Sequence, residues 1–159
     1  MTSQLPALAG LVLLTAHIAC TPPAGETGTR ASRVHDEAIV IDTHIDTPSQ
    51  LEETWADVAV RGATPHFDIP RAREGGLSAA FFAVYVAATY AEAGGSARQA
   101  LDLIDLVDRV VADHPAALAT AASVSDIRRA KQEGRIAILK GIEGGHAIED
   151  SMGALRNFY

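Results

Sequence analysis

The sequence predicts an α/β fold with a parallel sheet, and two observations support this prediction. Apolar runs at residues 39–41, 77–87 and 135–139 are typical of strands buried on both faces. Segments with helical periodicity separate these runs, and strands that alternate with helices favour a parallel sheet with right-handed crossovers. With 159 residues, 48% of them hydrophobic and 21% charged, the chain is long and apolar enough to form one packed domain.

The first 33 residues are predicted to lie outside this domain. Residues 5–19 form an apolar run that is too short to span a bilayer and is typical of a secretory signal. The run ends at Cys20, and a small residue followed by cysteine resembles a bacterial lipoprotein signal. We therefore assign residues 1–20 to a signal peptide, predict that Cys20 carries a lipid, and expect an exported protein that is periplasmic or membrane-anchored through that lipid. A buried N-terminal helix is the alternative, because no Lys or Arg precedes Arg30.

The next segment, residues 21–33, is rich in Pro, Gly, Thr and Ser and is predicted to be a flexible tether. The folded domain is predicted over residues 34–159. Its clearest helix is Ser96–Asp113, where apolar residues recur at helical intervals and Ser96 and Gln99 have the spacing of a capping box. Further helical segments are predicted at residues 49–60, 71–76 and 125–133, and from residue 150 onward.

The overall charge excludes one class of partner. The net charge is −7 and the isoelectric point is about 5.2. Binding to nucleic acid depends on clustered Lys and Arg that displace counterions from phosphates, and the sequence has no such cluster. Cys20 is the single cysteine, so the chain forms no intrachain disulfide.

A polar triplet follows the first apolar run. Asp42, His44 and Asp46 occupy alternate positions, and alternate side chains of a strand project to the same face. Imidazole nitrogens and carboxylate oxygens held rigidly at a strand end are the ligands that divalent metals use. His66 and Asp68 repeat the His-x-Asp pattern, but there we expect a loop histidine and a turn-forming aspartate, because no apolar strand precedes them.

Glu143 is the second candidate for chemistry. It follows the apolar strand at residues 135–139 and precedes Gly144 and Gly145, which allow other groups to approach closely. Barrel enzymes place their reactive groups at the carboxyl ends of strands in this way. The alternative is a glutamate placed at a helix N-terminus, where the helix dipole favours negative charge.

These blocks together resemble the membrane (renal) dipeptidase family of zinc peptidases. The matching segments are IDTHIDTP at residues 41–48, FDIPRAREGGLSAAFFAVYV at residues 67–86 and KGIEGGHAIEDSMGALRNFY at residues 140–159. The resemblance covers approximately residues 34–159, which is all of the chain after the predicted tether.

The resemblance implies a (β/α)8 barrel, of which this chain would supply the N-terminal part with about three of the eight strands. It implies two zinc ions, with His44 and Asp46 as ligands of one and Glu143 as the catalytic carboxylate that bridges both. Asp42, on the same face, would support these ligands. The implied reaction is hydrolysis of dipeptides by a metal-activated water, in an enzyme that forms a homodimer when complete.

The family's remaining zinc ligands are two histidines on later strands, which this chain does not reach. His146 belongs to the Glu143 block and does not replace them. We therefore expect an incomplete, inactive part of a longer enzyme. Two alternatives remain open: another barrel amidohydrolase, which is less favoured because those often begin with His-x-His, and a non-catalytic exported lipoprotein derived from a peptidase.

Overall fold

The computed structural model describes residues 24–63 and 66–159. The predicted signal peptide, including Cys20, lies outside the described residues. None of the helices in the described ranges combines the length and the apolar character that a bilayer crossing requires.

Four parallel strands and the helices that connect them form the described part of the chain. The sheet has the order β1-β2-β4-β3, and every neighbouring pair is parallel. This architecture confirms the predicted α/β class. In chain order the elements are α1 (Ala24–Glu37), β1 (Val40–Ile45), α2 (Thr47–Glu53), α3 (Ile69–Glu74), β2 (Leu77–Tyr85), α4 (Thr89–Ala93), α5 (Ser96–Asp113), β3 (Leu118–Thr120), α6 (Val124–Gln132), β4 (Ile136–Glu143), a 3₁₀ helix (Gly145–Ile148) and α7 (Met152–Phe158).

The two faces of the sheet are covered unequally. On one face, Phe82 of β2 and Ile138 of β4 pack with Val107 and Val110 of α5 in the largest core cluster. On the other face, α6 packs against the first residues of β2 and β4, in a smaller cluster that contains Ala79 and Ala137. Along β4, the residues are accordingly buried at the start of the strand, and the last two are exposed. Tyr85 at the end of β2 is also exposed, so both of these strands end in residues that are exposed to solvent.

The predicted tether needs correction. Residues 24–33 belong to α1, which runs on to Glu37. The prediction was wrong for these residues because both prolines of the segment precede Ala24, and the remainder contains Ala and Arg, which favour helix. The ammonium of Lys131 donates to the main-chain carbonyls of Asp36 and Ala38, at 3.0 and 2.8 Å, and so holds the end of α1.

Helix boundaries differ from the predictions where capping was decisive. The helix predicted over residues 49–60 ends at Glu53, where Thr54 takes an extended conformation, and Trp55 beyond it is 61% exposed. The helix predicted over residues 125–133 begins one residue earlier, at Val124, because Ser123 is its N-cap and the Ser123 hydroxyl accepts from the Asp126 N–H.

The strand β3 was not predicted. Its three residues are too few to show a period, and it exists through pairing of Leu118–Thr120 with the first half of β4. The second half of β4 has no partner on that side among the described residues.

Candidate metal centre

His44 lies near the end of β1, and Asp46 stands between β1 and α2. The register of β1 against β2 shifts between Asp42 and Ile45. Within this irregular stretch, the main-chain N–H of His44 donates to Oδ1 of Asp42 at 2.9 Å. The carboxylate of Asp42 thus contacts the main chain of His44 within the irregular end of β1.

Asp46 precedes α2 but does not use its carboxylate to cap that helix. It occupies the N-cap position with φ −81° and ψ 23°, and its side chain makes no capping hydrogen bond to α2. An aspartate at this position ordinarily accepts from the first helical N–H groups. Its carboxylate is instead directed at the ring of His44, whose Nε2 lies 3.3 Å from Asp46 Oδ1.

Glu143 approaches the same ring from the other side of β2. It is the last residue of β4 and pairs in register with Tyr85, the last residue of β2. Its Oε2 lies 3.1 Å from Nε2 of His44. Because β2 lies between β1 and β4, the carboxyl ends of three neighbouring strands meet at this point.

The structure therefore brings together the three residues predicted as ligands. One ligand atom from each of His44, Asp46 and Glu143 lies within 4.8 Å of the other two. No other group of three or more His, Cys, Asp or Glu side chains in residues 24–63 and 66–159 converges in this way. All three side chains are about half exposed, so the centre opens to solvent.

The donor set suits a divalent cation. One neutral imidazole and two carboxylates supply nitrogen and oxygen ligands, and the two negative charges balance a charge of +2. Nε2 of His44 lies 3.3 Å from Asp46 Oδ1 and 3.1 Å from Glu143 Oε2, so the three ligand atoms are close enough together to contact one cation. Half-exposed ligands leave room for further donors or for a small substrate.

The second His-x-Asp pattern forms no such centre, as expected from the sequence. Asp68 is fully buried and caps α3, where Oδ1 accepts from the Arg71 N–H at 2.8 Å and Oδ2 from the Arg71 Nε–H at 2.6 Å. Burial by itself would raise the pKa of Asp68, but the hydrogen bonds from Arg71 and Gly62 outweigh it and lower the pKa below its ordinary value. His66 lies on the surface, where its Nδ1 accepts from the side-chain amide of Gln50 at 3.0 Å.

One residue near the centre was given no role by the sequence. His146 places its ring against the main-chain carbonyl of Val86, with 2.9 Å between Nε2 and the oxygen. Val86 and His146 are far apart in sequence, so no local residue pattern predicts their contact. The adjacent Gly144-Gly145 pair is the one local signal of close packing.

Both the sequence and the fold of this chain are similar to those of known proteins. The sequence model described as membrane dipeptidase, peptidase family M19, matches residues 28–159. A curated relative, the dipeptidase ataJ of Aspergillus terreus, is 32% identical over 142 residues, which cover 80% of this chain and 34% of that protein.

Two solved structures show the same fold. The probable dipeptidase PvdM of Pseudomonas aeruginosa gives a TM-score of 0.71 at 20% identity, over 86% of this chain and 36% of that one. A metallo peptidase of Rhodobacter sphaeroides, liganded with a phosphinate mimic of the dipeptide L-Ala-D-Ala, gives 0.62 at 22% identity, over 76% of this chain and 42% of that one. The chain thus spans between a third and a half of the length of the proteins it matches.

Proposed function

The chain belongs to the membrane dipeptidase family, and we propose that its His44, Asp46 and Glu143 hold zinc in the site of a dipeptidase. The observation that carries the proposal is the convergence of these three side chains, from two different strands, at the open end of the sheet. A catalytic metal site requires ligands that converge in this way from different parts of the chain. Polar residues that are only neighbours in sequence on a solvated surface do not converge in this way.

Each residue has a distinct part in this proposal. His44 near the end of β1 and Asp46 directly after the strand would hold one cation, and Glu143 would be the carboxylate shared with a second cation. When bound, the metal supplies a Lewis acid that polarises the peptide carbonyl and lowers the pKa of a water. Asp42 fixes the main chain of His44 and thereby orients the ring towards both carboxylates.

The proposed substrate class is the dipeptide. Support comes from family membership and from the Rhodobacter sphaeroides metallo peptidase, which is liganded with a mimic of L-Ala-D-Ala. A half-exposed site at a sheet edge admits a compound of this size without unfolding of the surrounding strands.

Metal binding is tested on the 159-residue chain by titration with Co²⁺, which reports on zinc-type sites through its visible absorption. We expect a single strong site in the native chain and a loss of about tenfold or more in affinity in Glu143→Gln, which keeps the shape of the side chain but removes its charge. His66→Ala, which changes the histidine of the other His-x-Asp pattern, is the matched control and should bind as the native chain does. A native chain that binds no Co²⁺ contradicts the proposal.

Catalysis is tested on the full-length protein purified from its native host, with L-Ala-D-Ala as substrate, because the 159-residue chain spans only a third to a half of the length of its relatives. We expect hydrolysis that is lost after treatment with a chelator and restored by zinc. Hydrolysis that persists after complete removal of divalent metal would exclude a metal-dependent dipeptidase. A folded, metal-free protein without activity would support the non-catalytic alternative.

We also propose export with lipidation at Cys20, on the basis of the apolar run that precedes this residue. Expression in a bacterial host and fractionation should place the native protein in the membrane fraction. Cys20→Ser should release it from that fraction. A native protein recovered in the cytoplasm contradicts the proposal.

A further inference from the structure

The main chain that carries Glu143 is held by both polar groups of a single residue, Val86. Val86 directly follows β2 and is completely buried. Its N–H donates to the carbonyl oxygen of Glu143 at 3.0 Å. Its own carbonyl accepts from Nε2 of His146 at 2.9 Å, and since a carbonyl only accepts, this ring nitrogen carries a proton. The segment between residues 143 and 146 is thus closed against β2 by a hydrogen bond at each end.

The ring of His146 also fills the space beside Gly144. This glycine has φ +108°, a conformation that side chains disfavour. A Cβ at this position would lie 2.7 Å from Cε1 of the His146 ring and 3.2 Å from the Val86 oxygen. The path of the chain immediately after Glu143 therefore depends on a glycine and on the ring packed against it.

The 3₁₀ helix that carries His146 is itself fixed to α5. Ala147 is completely buried and packs with Ala100 and Leu103 of that helix. Further along, Oε1 of Glu149 accepts from the main-chain N–H of Ala97 at 3.1 Å. These contacts with α5 therefore fix the position of the 3₁₀ helix and of His146 within it.

Few contacts with the described residues fix the side chain of Glu143 directly. It is 45% exposed, and its contact is with the ring of His44, which is equally exposed. The position of its carboxylate consequently depends on the main chain beneath it. We propose that His146 is a positioning residue for the metal centre, which fixes the main chain at Glu143 through Val86 and does not itself bind metal. This inference rests on the proposed function, because it concerns the same three ligands.

The chain contains a matched control at the other end of β2. The ring of His35 lies against Gly76, where φ is +69° and a Cβ would be 2.6 Å from the ring nitrogen. Its Nε2 lies 3.0 Å from the carbonyl oxygen of Gly75. A histidine ring thus contacts a glycine and a main-chain carbonyl here, as at His146, but no predicted metal ligand lies nearby.

The experiment compares Co²⁺ affinity in the native 159-residue chain and in four variants. His146→Ala and His146→Phe, which lack the donor, should weaken binding by about tenfold or more, the effect of losing a group that orients a metal ligand. His146→Gln, whose amide can donate to the Val86 carbonyl, should recover most of this loss. His35→Ala should bind Co²⁺ within about twofold of the native chain, since its ring supports no ligand.

A second measurement does not need the metal. Hydrogen exchange at the Val86 amide, which donates to Glu143, should accelerate by about tenfold or more in His146→Ala and stay unchanged in His35→Ala. Equal exchange in both variants, or native Co²⁺ affinity in His146→Ala and His146→Phe alongside its loss in Glu143→Gln, overturns the inference. If His146→Ala does not fold, the comparison of His146→Gln with His146→Phe decides. A native chain that binds no Co²⁺ overturns the proposed function, while the Val86 exchange still decides whether His146 holds this loop.

Discussion

The two His-x-Asp patterns of this chain lie in opposite structural environments. At His44 and Asp46 both side chains are exposed, and they lie close to Glu143 from a strand that is distant in sequence. At His66 and Asp68 the aspartate is completely buried in a helix cap, and the histidine faces solvent beside Gln50. The difference arises from the preceding residues, because a strand delivers its last side chains to the sheet edge, whereas a loop turns its aspartate inward.

The comparison predicts that one aspartate stabilises the fold and the other does not. Asp68→Ala removes the cap of α3 and leaves the partly buried N–H groups of Arg71 and Gly62 without their acceptor. The expected loss in the free energy of unfolding is about 3 kcal/mol, measured by urea denaturation. Asp46→Ala, which caps nothing, should change the free energy of unfolding by less than about 0.5 kcal/mol in the absence of metal. Equal losses in the two variants would show that the patterns are structurally equivalent.

For metal affinity we expect the opposite order, with the larger effect at Asp46 and the smaller effect at Asp68. Asp46→Ala should weaken Co²⁺ binding by about tenfold to a hundredfold, because it removes one of three converging donors and one of two negative charges. Asp68→Asn, which keeps the shape of the cap and is therefore more stable than the alanine variant, should bind Co²⁺ as the native chain does. A loss of affinity in Asp68→Asn would mean that the α3 cap and the metal centre are coupled.

The sequence predicted the first pattern as a site because its physical cause is local. An apolar strand followed by alternating polar residues specifies both the sheet position and the direction of His44 and Asp46. The bounds of α5 were predicted correctly for the same reason, since its apolar period is continuous.

Other features depend on contacts that cannot be predicted from the residues next to them in the sequence. Ser96 was predicted to cap α5, but Gly95 takes that position, and the buried Ser96 hydroxyl has no hydrogen-bond partner among the described residues. The strand β3 depends on β4 for its existence, and the contact of His146 with Val86 joins residues far apart in sequence. These contacts follow from the fold, which the local pattern does not specify.

The smallest predicted effect concerns pH. Since the folded pKa of Asp68 lies below its unfolded value of about 3.9, the stability that its charge contributes is complete above pH 4 to 5 and is lost as the pH falls through the folded pKa. Asp126, whose pKa is lowered to about 2 by hydrogen bonds from Ser123, Ala122 and Arg129, titrates in the same range. The difference in unfolding free energy between the native chain and Asp68→Asn isolates the first group. That difference should be constant from pH 7 to about 5 and shrink below about pH 4, as followed by urea denaturation at each pH. A difference that does not shrink on acidification would show that the charge of Asp68 does not contribute, and that its cap acts through shape and neutral hydrogen bonds.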